Sequence, residues 1–199
     1  MAVLVGREAP DFKAQFVMPD GSFVQKSLQD YRGKHVVLFF YPLDFSFVCP
    51  TEILAFDNAL AEFKERNCEV LGVSVDSRFA HHAWRNMAPE KGGIGNIHYP
   101  LVADIDKDIC AKYDVLRLDG DIAYRGVFLI DKDGIVRHQA VNDMPLGRNI
   151  FEVLRMVDAL QFHEQHGDVC PANWNMGKQA MKPNAESVAA FLAKNAKSL

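Results

Sequence analysis

The longest strongly apolar run in the chain, Val36 to Leu43, limits what the chain can fold into. It contains Pro42 and falls far short of the ~20 residues that cross a bilayer. It must therefore be buried in a protein core. The part His35-Val36-Val37-Leu38-Phe39-Phe40-Tyr41 is apolar without alternation, which is how a strand covered on both faces of a mostly parallel sheet reads. The segments around it fit that sheet. Gly6 to Leu28 reads as a loop and then a hairpin turning at Pro19-Asp20-Gly21. Pro50 to Arg66 carries Ile53, Leu54, Phe56, Leu60 and Phe63 at helical spacing.

Further along, Val70 to Val75 and Tyr99 to Ala103 read as strands, and Phe79 to Met87 and Asp106 to Tyr113 as helices. Tyr124 to Ile130 and Ile135 to Val141 bracket Asp131-Lys132-Asp133-Gly134, a hairpin in which glycine supplies the positive φ. Gly147 to His166 is an amphipathic helix, and Ala185 to Asn195 is a short Ala-rich one after an irregular Pro-, Asn- and Gly-rich tail. Strands alternating with helices, then a hairpin and a helix, give an α/β fold with a mixed central sheet. The tail after Cys170 reads as the segment least tied to the core.

A length of 199 residues, 49% of them hydrophobic, fits one globular domain with a sizeable core. Lys+Arg 22 against Asp+Glu 26 leaves a net charge of −4, without the basic footprint that nucleic acid or anionic lipid requires. The first residues, Met1-Ala2-Val3-Leu4-Val5-Gly6-Arg7-Glu8, lack the basic start of a secretory leader, so the cytoplasm is the expected compartment.

The chemistry rests on four cysteines: Cys49, Cys68, Cys110 and Cys170. They form no C-x-x-C pair, and no histidine follows at zinc-finger spacing, which argues against a metal site. Cys49 stands between the buried strand and the helix that Pro50 is suited to open. A thiol there faces unpaired backbone donors and the positive end of the helix dipole, the setting that favours a thiolate. A free thiol of pKa about 8.5 is roughly 3% ionised at pH 7, and one lowered to about 6 is roughly 90% ionised, a gain of only about 30-fold. Any larger acceleration must come from donors aimed at the transition state, for which Ser46 and a nearby arginine are suited. Cys68 and Cys110 lie on apolar segments and read as spectators. Cys170, in Val169-Cys170-Pro171, echoes Val48-Cys49-Pro50. As an exposed thiol in a flexible segment it suits attack on an oxidised sulfur elsewhere.

The segment Phe39 to Ile53 resembles the peroxidatic-cysteine motif of the typical two-cysteine peroxiredoxins, whose pattern P-x-x-x-(T/S)-x-x-C is met by Pro42, Ser46 and Cys49. Gly167-Asp168-Val169-Cys170-Pro171-Ala172-Asn173-Trp174 is similar to that family's resolving-cysteine segment, and the likeness runs from Ala9-Pro10-Asp11-Phe12 to Lys182-Pro183. The resemblance implies a thioredoxin-like peroxidase domain over 1–166 and a C-terminal arm over 167–199. It implies a thiol peroxidase acting on hydrogen peroxide and small organic hydroperoxides without metal, haem or flavin. By the same likeness Cys49 becomes a sulfenic acid, and Cys170 of a partner subunit condenses with it. Thioredoxin or a dedicated disulfide reductase then restores both thiols, and the chain forms a homodimer and a ring of five dimers.

Further roles carry over by matching segments. Arg125 matches the arginine that holds the thiolate and polarises the peroxide, and Arg148 a second, supporting arginine. Pro42 shields the site, the Ser46 hydroxyl reaches sulfur and peroxide, and Glu52 orients Arg125 or Arg148. The chain departs from the pattern in having Ser46 where threonine is commoner. It also has the Gly92-Gly93-Ile94-Gly95 loop of over-oxidation-sensitive members without their C-terminal Tyr-Phe pair. Two other readings compete. One is a chaperone-like assembly that uses exposed apolar surface around Trp84, Trp174 and Phe191. The other is a papain-type hydrolase, which needs a histidine near Cys49, whereas His81, His82 and His98 read as surface residues.

Overall fold

The computed structural model describes residues 3–199; Met1 and Ala2, where the start segment was read for a leader, lie outside the described residues. The chain divides into two compact units, one ending at Ile150 and a second, Phe151–Leu199.

The first unit is built on a seven-stranded sheet. Its strands are β1 (Lys13–Val17), β2 (Phe23–Ser27), β3 (His35–Phe40), β4 (Cys68–Ser74), β5 (Leu101–Ala103), β6 (Arg125–Ile130) and β7 (Val136–Asn142), in the order β2-β1-β5-β4-β3-β6-β7. β3 runs parallel to β4 and antiparallel to β6, so the sheet is mixed. Every residue of β3 is buried, as its unbroken apolar sequence requires. Alternation sends Leu38 and Phe40 to one face, where Phe40 meets Phe128 edge-on and Tyr113 at a tilt. Phe39 goes to the other face and stacks on Phe56 with centroids 4.3 Å apart. Both predicted hairpins form, β1–β2 and β6–β7, each antiparallel. In the second, the Asp131 carboxylate accepts the Asp133 and Ile135 N–H groups, and Gly134 sits at φ +77°.

The helices of this unit are α1 (Cys49–Asn58), α2 (Leu60–Glu65), α3 (Arg78–Arg85) and α4 (Asp108–Lys112). Where the periodicity of 50–66 predicted one helix, the structure breaks it at Ala59 into α1 and α2. Asp57 and Asn58 are weak helix formers, and the Asp57 carboxylate is drawn away to the His98 backbone N–H.

The second unit contains almost all of α5 (Ile150–His166) together with α6 (Ala185–Asn195). The sequence suggested that the tail after Cys170 is the segment least tied to the core; instead the tail is folded on itself. Val169 and Met181 form an antiparallel bridge, the Trp174 Nε1–H donates to the Lys178 carbonyl, and the Asn184 side chain caps α6. The three side chains named for the chaperone-like reading are not themselves exposed. Trp84, Trp174 and Phe191 are all buried, because each is a large apolar group that finds a packed partner or a carbonyl for its N–H. Among the described residues no helix is long and apolar enough to cross a membrane.

Candidate active site

The loop between β3 and α1 is pinned at Asp44. Its carboxylate accepts the Tyr41 hydroxyl at 2.8 Å and contacts His81 Nδ1 at 2.7 Å, and its backbone N–H donates to Asp76 Oδ2. Burial pushes the Asp44 carboxyl up, opposed by the hydrogen bond and charge of His81. His81 is fully buried rather than on the surface, because α3 turns His81, Trp84 and Arg85 inward at helical spacing. With its ring nitrogens on Asp44 and the Val102 carbonyl, and with His98 on Asp57, neither histidine serves Cys49 as a base. One turn of this loop is strained: Phe45 holds φ +55° while its ring packs on Trp84.

Cys49 opens α1 in its first turn and is fully buried. Pro42 is buried too, and the half-buried Ser46 spends its hydroxyl proton on the Leu43 carbonyl at 2.7 Å, leaving its oxygen as an acceptor. Arg125, the first residue of β6, points one guanidinium nitrogen at the Cys49 sulfur, 3.5 Å away. The same nitrogen donates to Glu52 Oε2 at 2.7 Å, and Arg125 Nε donates to the Met144 carbonyl.

Glu52 is the point where the site converges. Expected to orient Arg125 or Arg148, it is 3% exposed and holds both. Its Oε1 accepts both the backbone N–H and Nε of Arg148, and its Oε2 accepts Arg148 Nη2 as well as Arg125. Arg148 also donates to the Phe40 and Gly126 carbonyls, and its guanidinium lies over the Phe39 ring, 5.1 Å from the centroid. Burial draws the Arg148 guanidinium below its ordinary value, and Glu52 opposes this. Two cations and one carboxylate leave the cluster one negative charge short.

The model of the AhpC/TSA family matches residues 5–139, and that of the C-terminal domain of 1-Cys peroxiredoxin matches 159–194. The chain is 50% identical over 191 residues to Peroxiredoxin-1 of Gekko japonicus, with 96% of each covered. It is 51% identical to Peroxiredoxin-2 of Cricetulus griseus over the same share. A reduced 2-Cys peroxiredoxin of Plasmodium vivax superposes with a TM-score of 0.95 at 52% identity, covering 97% of this chain and all of that one. This chain belongs to the AhpC/TSA family of peroxiredoxins. The peroxiredoxin fold is the thioredoxin-like one expected, and an Enterococcus faecalis AhpC shares it at 38% identity with a TM-score of 0.79. The enzyme is a thiol peroxidase, an oxidoreductase whose substrate is a hydroperoxide.

The other thiols of this peroxiredoxin differ from Cys49 in their surroundings. Burial pushes Cys68 up to about 12, and burial with the Asp104 carboxylate beside it pushes Cys110 up further. Cys170 is half-buried rather than exposed, because the folded tail sets its sulfur against the Ala159 carbonyl at 3.6 Å. Burial raises it, and the Arg155 charge pulls the other way. A thiol of pKa about 12 has roughly three thousandfold less thiolate than one of about 8.5. Iodoacetamide at pH 7.5 will therefore leave Cys68 and Cys110 unmodified in the native reduced enzyme. Mass spectrometry will show both alkylated at least about a hundredfold faster once guanidinium chloride unfolds the chain.

Sequence patterns missed the Tyr41–Asp44–His81 anchor. The available signal was the spacing of His81 from Trp84 and Arg85 along one helix face. The carbonyls of Phe40, Gly126 and Met144 that hold the arginines carry no side-chain signal at all.

Proposed function

We propose that Cys49 is the peroxidatic residue and that Arg125, Ser46 and Pro42 act on it, with Glu52 and Arg148 holding Arg125 in place. The observation that carries this is the Arg125 guanidinium, 3.5 Å from a buried helix-start sulfur and locked by Glu52. The Cys49 thiolate attacks the terminal oxygen of a hydroperoxide. A sulfur–oxygen bond forms, the O–O bond breaks, and the departing alkoxide or hydroxide takes a proton from solvent to leave as alcohol or water. Negative charge moves from sulfur to the leaving oxygen, and Arg125 is placed to follow it. The free lone pairs of Ser46 suit it to accept a hydrogen bond from the attacked O–H, whose proton stays on the sulfenic acid.

Cys170 of a second subunit then condenses with the sulfenic acid, releasing water and forming a disulfide. A dithiol reductant, thioredoxin or a dedicated disulfide reductase, supplies two electrons by exchange and regenerates both thiols. On this reading residues 1–166 are the peroxidase domain and 167–199 the arm that delivers Cys170. A homodimer is the least assembly that completes the cycle, and five dimers form the ring. The enzyme works in the cytoplasm, where the four free cysteines would stay reduced between turnovers.

Non-reducing gel electrophoresis after one equivalent of hydrogen peroxide tests the scheme. Wild-type protein will run as a disulfide-linked dimer. Cys170→Ser will run as a monomer, consume one equivalent of peroxide per chain and stop, with its sulfenic acid trapped by dimedone. A covalent dimer formed by the Cys170→Ser protein would remove Cys170 from the scheme and leave Cys49 untouched.

A further inference from the structure

Outside the thiol site, the end of α3 borders a polar cleft of about 340 Å³, roofed by the Pro19-Asp20-Gly21 turn and floored by Asn96 and His98. Its side chains are Asp20, His82, Arg85, Asn86, Asn96 and His98. Nothing in the peroxidase scheme uses any of them.

Arg85 is 2% exposed and carries a full charge, yet its only partners are backbone carbonyls: Tyr99 through Nη1, and Pro19 and Ile97 through Nη2. No carboxylate lies within ion-pair distance of it among the described residues. A buried cation normally has an anion beside it, because carbonyl dipoles recover only part of its lost hydration. Beside it, the Nδ1 of His82 is buried without a hydrogen-bond partner. An orphaned ring nitrogen at a cleft wall is a group waiting for a ligand or a water. Gly21 lies against that ring, since a Cβ there would sit 3.5 Å from the nitrogen and 3.3 Å from the neighbouring ring carbon.

The remaining groups are mostly engaged elsewhere. The Asn86 amide donates to the His82 carbonyl. His98 faces Asp57, at 3.0 Å from Oδ2. Asp20 is the one group that opposes an anion, and its Oδ1 is turned onto the Ser22 N–H and hydroxyl at 2.9 and 2.6 Å. A metal ion does not fit, because among the described residues no three histidine, cysteine or carboxylate groups are placed to hold one. The size lies within the ~300–1,000 Å³ of small-molecule sites, so the cleft has room for a small metabolite.

We propose that this cleft binds a small oxyanion, a phosphate monoester or a carboxylate, through Arg85 and His82. The ligand's negative charge faces a guanidinium on which Asp57 and Asp20 act only from beyond ion-pair distance, and one of its oxygens takes the place of the partner that His82 Nδ1 lacks. Asp20 sets a ceiling on affinity by repelling the same charge.

Equilibrium dialysis of the reduced full-length protein against radiolabelled inorganic phosphate, AMP and citrate separates the sources. Saturable binding of one molecule per chain is expected for at least one of them. Phosphate and AMP together would identify a phosphate site, and citrate alone a carboxylate site. His82→Leu will weaken binding about tenfold or more, the loss of one charge-assisted hydrogen bond. Asp20→Asn, which keeps the Ser22 hydrogen bonds, will tighten it several-fold. Both variants will keep the wild-type rate of peroxide consumption. The proposal is overturned if none of the three probes binds saturably, or if binding is the same in wild type, His82→Leu and Asp20→Asn.

Discussion

Cys49→Ser protein will consume hydrogen peroxide at least about a thousandfold more slowly than wild type, at unchanged thermal stability. Serine fills the same volume, but its hydroxyl does not ionise near neutral pH, and none of the described histidine contacts supplies a base to activate it. The Arg125–Glu52–Arg148 cluster stays assembled, since its mutual hydrogen bonds do not pass through the sulfur. The variant therefore separates the sulfur from the electrostatics around it. Arg125 can polarise a peroxide, but with nothing to attack the O–O bond this polarisation gains no product. Stopped-flow consumption of peroxide under single-turnover conditions measures this without any reductant. Retention of more than a few percent of the wild-type rate would show that another thiol performs the chemistry. Cys68 and Cys110, held protonated by burial, are poor substitutes, so Cys170 would be the one to examine.

The sheet was legible because its signals are local. The unbroken run at 35–41 states that both faces are covered, and Asp131-Lys132-Asp133-Gly134 states a tight turn; both patterns survive into the fold. The helix-start position of Cys49 was legible for the same reason, since Pro50 marks where α1 begins. What failed were properties set by distant residues. Glu52 was named only through the family likeness, because its burial depends on Arg125 and Arg148, 73 and 96 positions away, and nothing local marks it. His81 looked like a surface residue because its partner Asp44 lies across the sheet's edge in another loop. The broken helix at Ala59 likewise reflects a long-range competitor, the His98 N–H, for the Asp57 side chain. The tail's own fold was missed because it depends on one bridge and a buried tryptophan rather than on periodicity.

Glu52→Ala will lose about 3–5 kcal/mol of stability, the range for removing one partner of a buried ion pair. Both guanidiniums are 4% exposed in their side chains, and the carboxylate they share accepts four hydrogen bonds. Without it, two cations face each other in a desolvated pocket with only carbonyls and the Cys49 sulfur to answer them. For a domain of this size each kcal/mol moves the melting temperature by roughly 2–4 °C, so a fall of about 6–20 °C is expected, at equal protomer concentration. Glu52→Gln separates charge from shape. The amide keeps one acceptor oxygen but turns an N–H₂ toward a guanidinium, so one arginine must give up its hold. Arg148 retains the Phe40 and Gly126 carbonyls, whereas Arg125 keeps only the Met144 carbonyl, so Arg125 is the one released. The rate of Cys49 oxidation will then fall by about 10–100-fold, while Cys49 remains alkylatable and the melting temperature drops less than in Glu52→Ala. A Glu52→Gln enzyme oxidised at the wild-type rate would mean that Arg125 needs no carboxylate to stay aimed at sulfur. Glu52 would then contribute to stability alone.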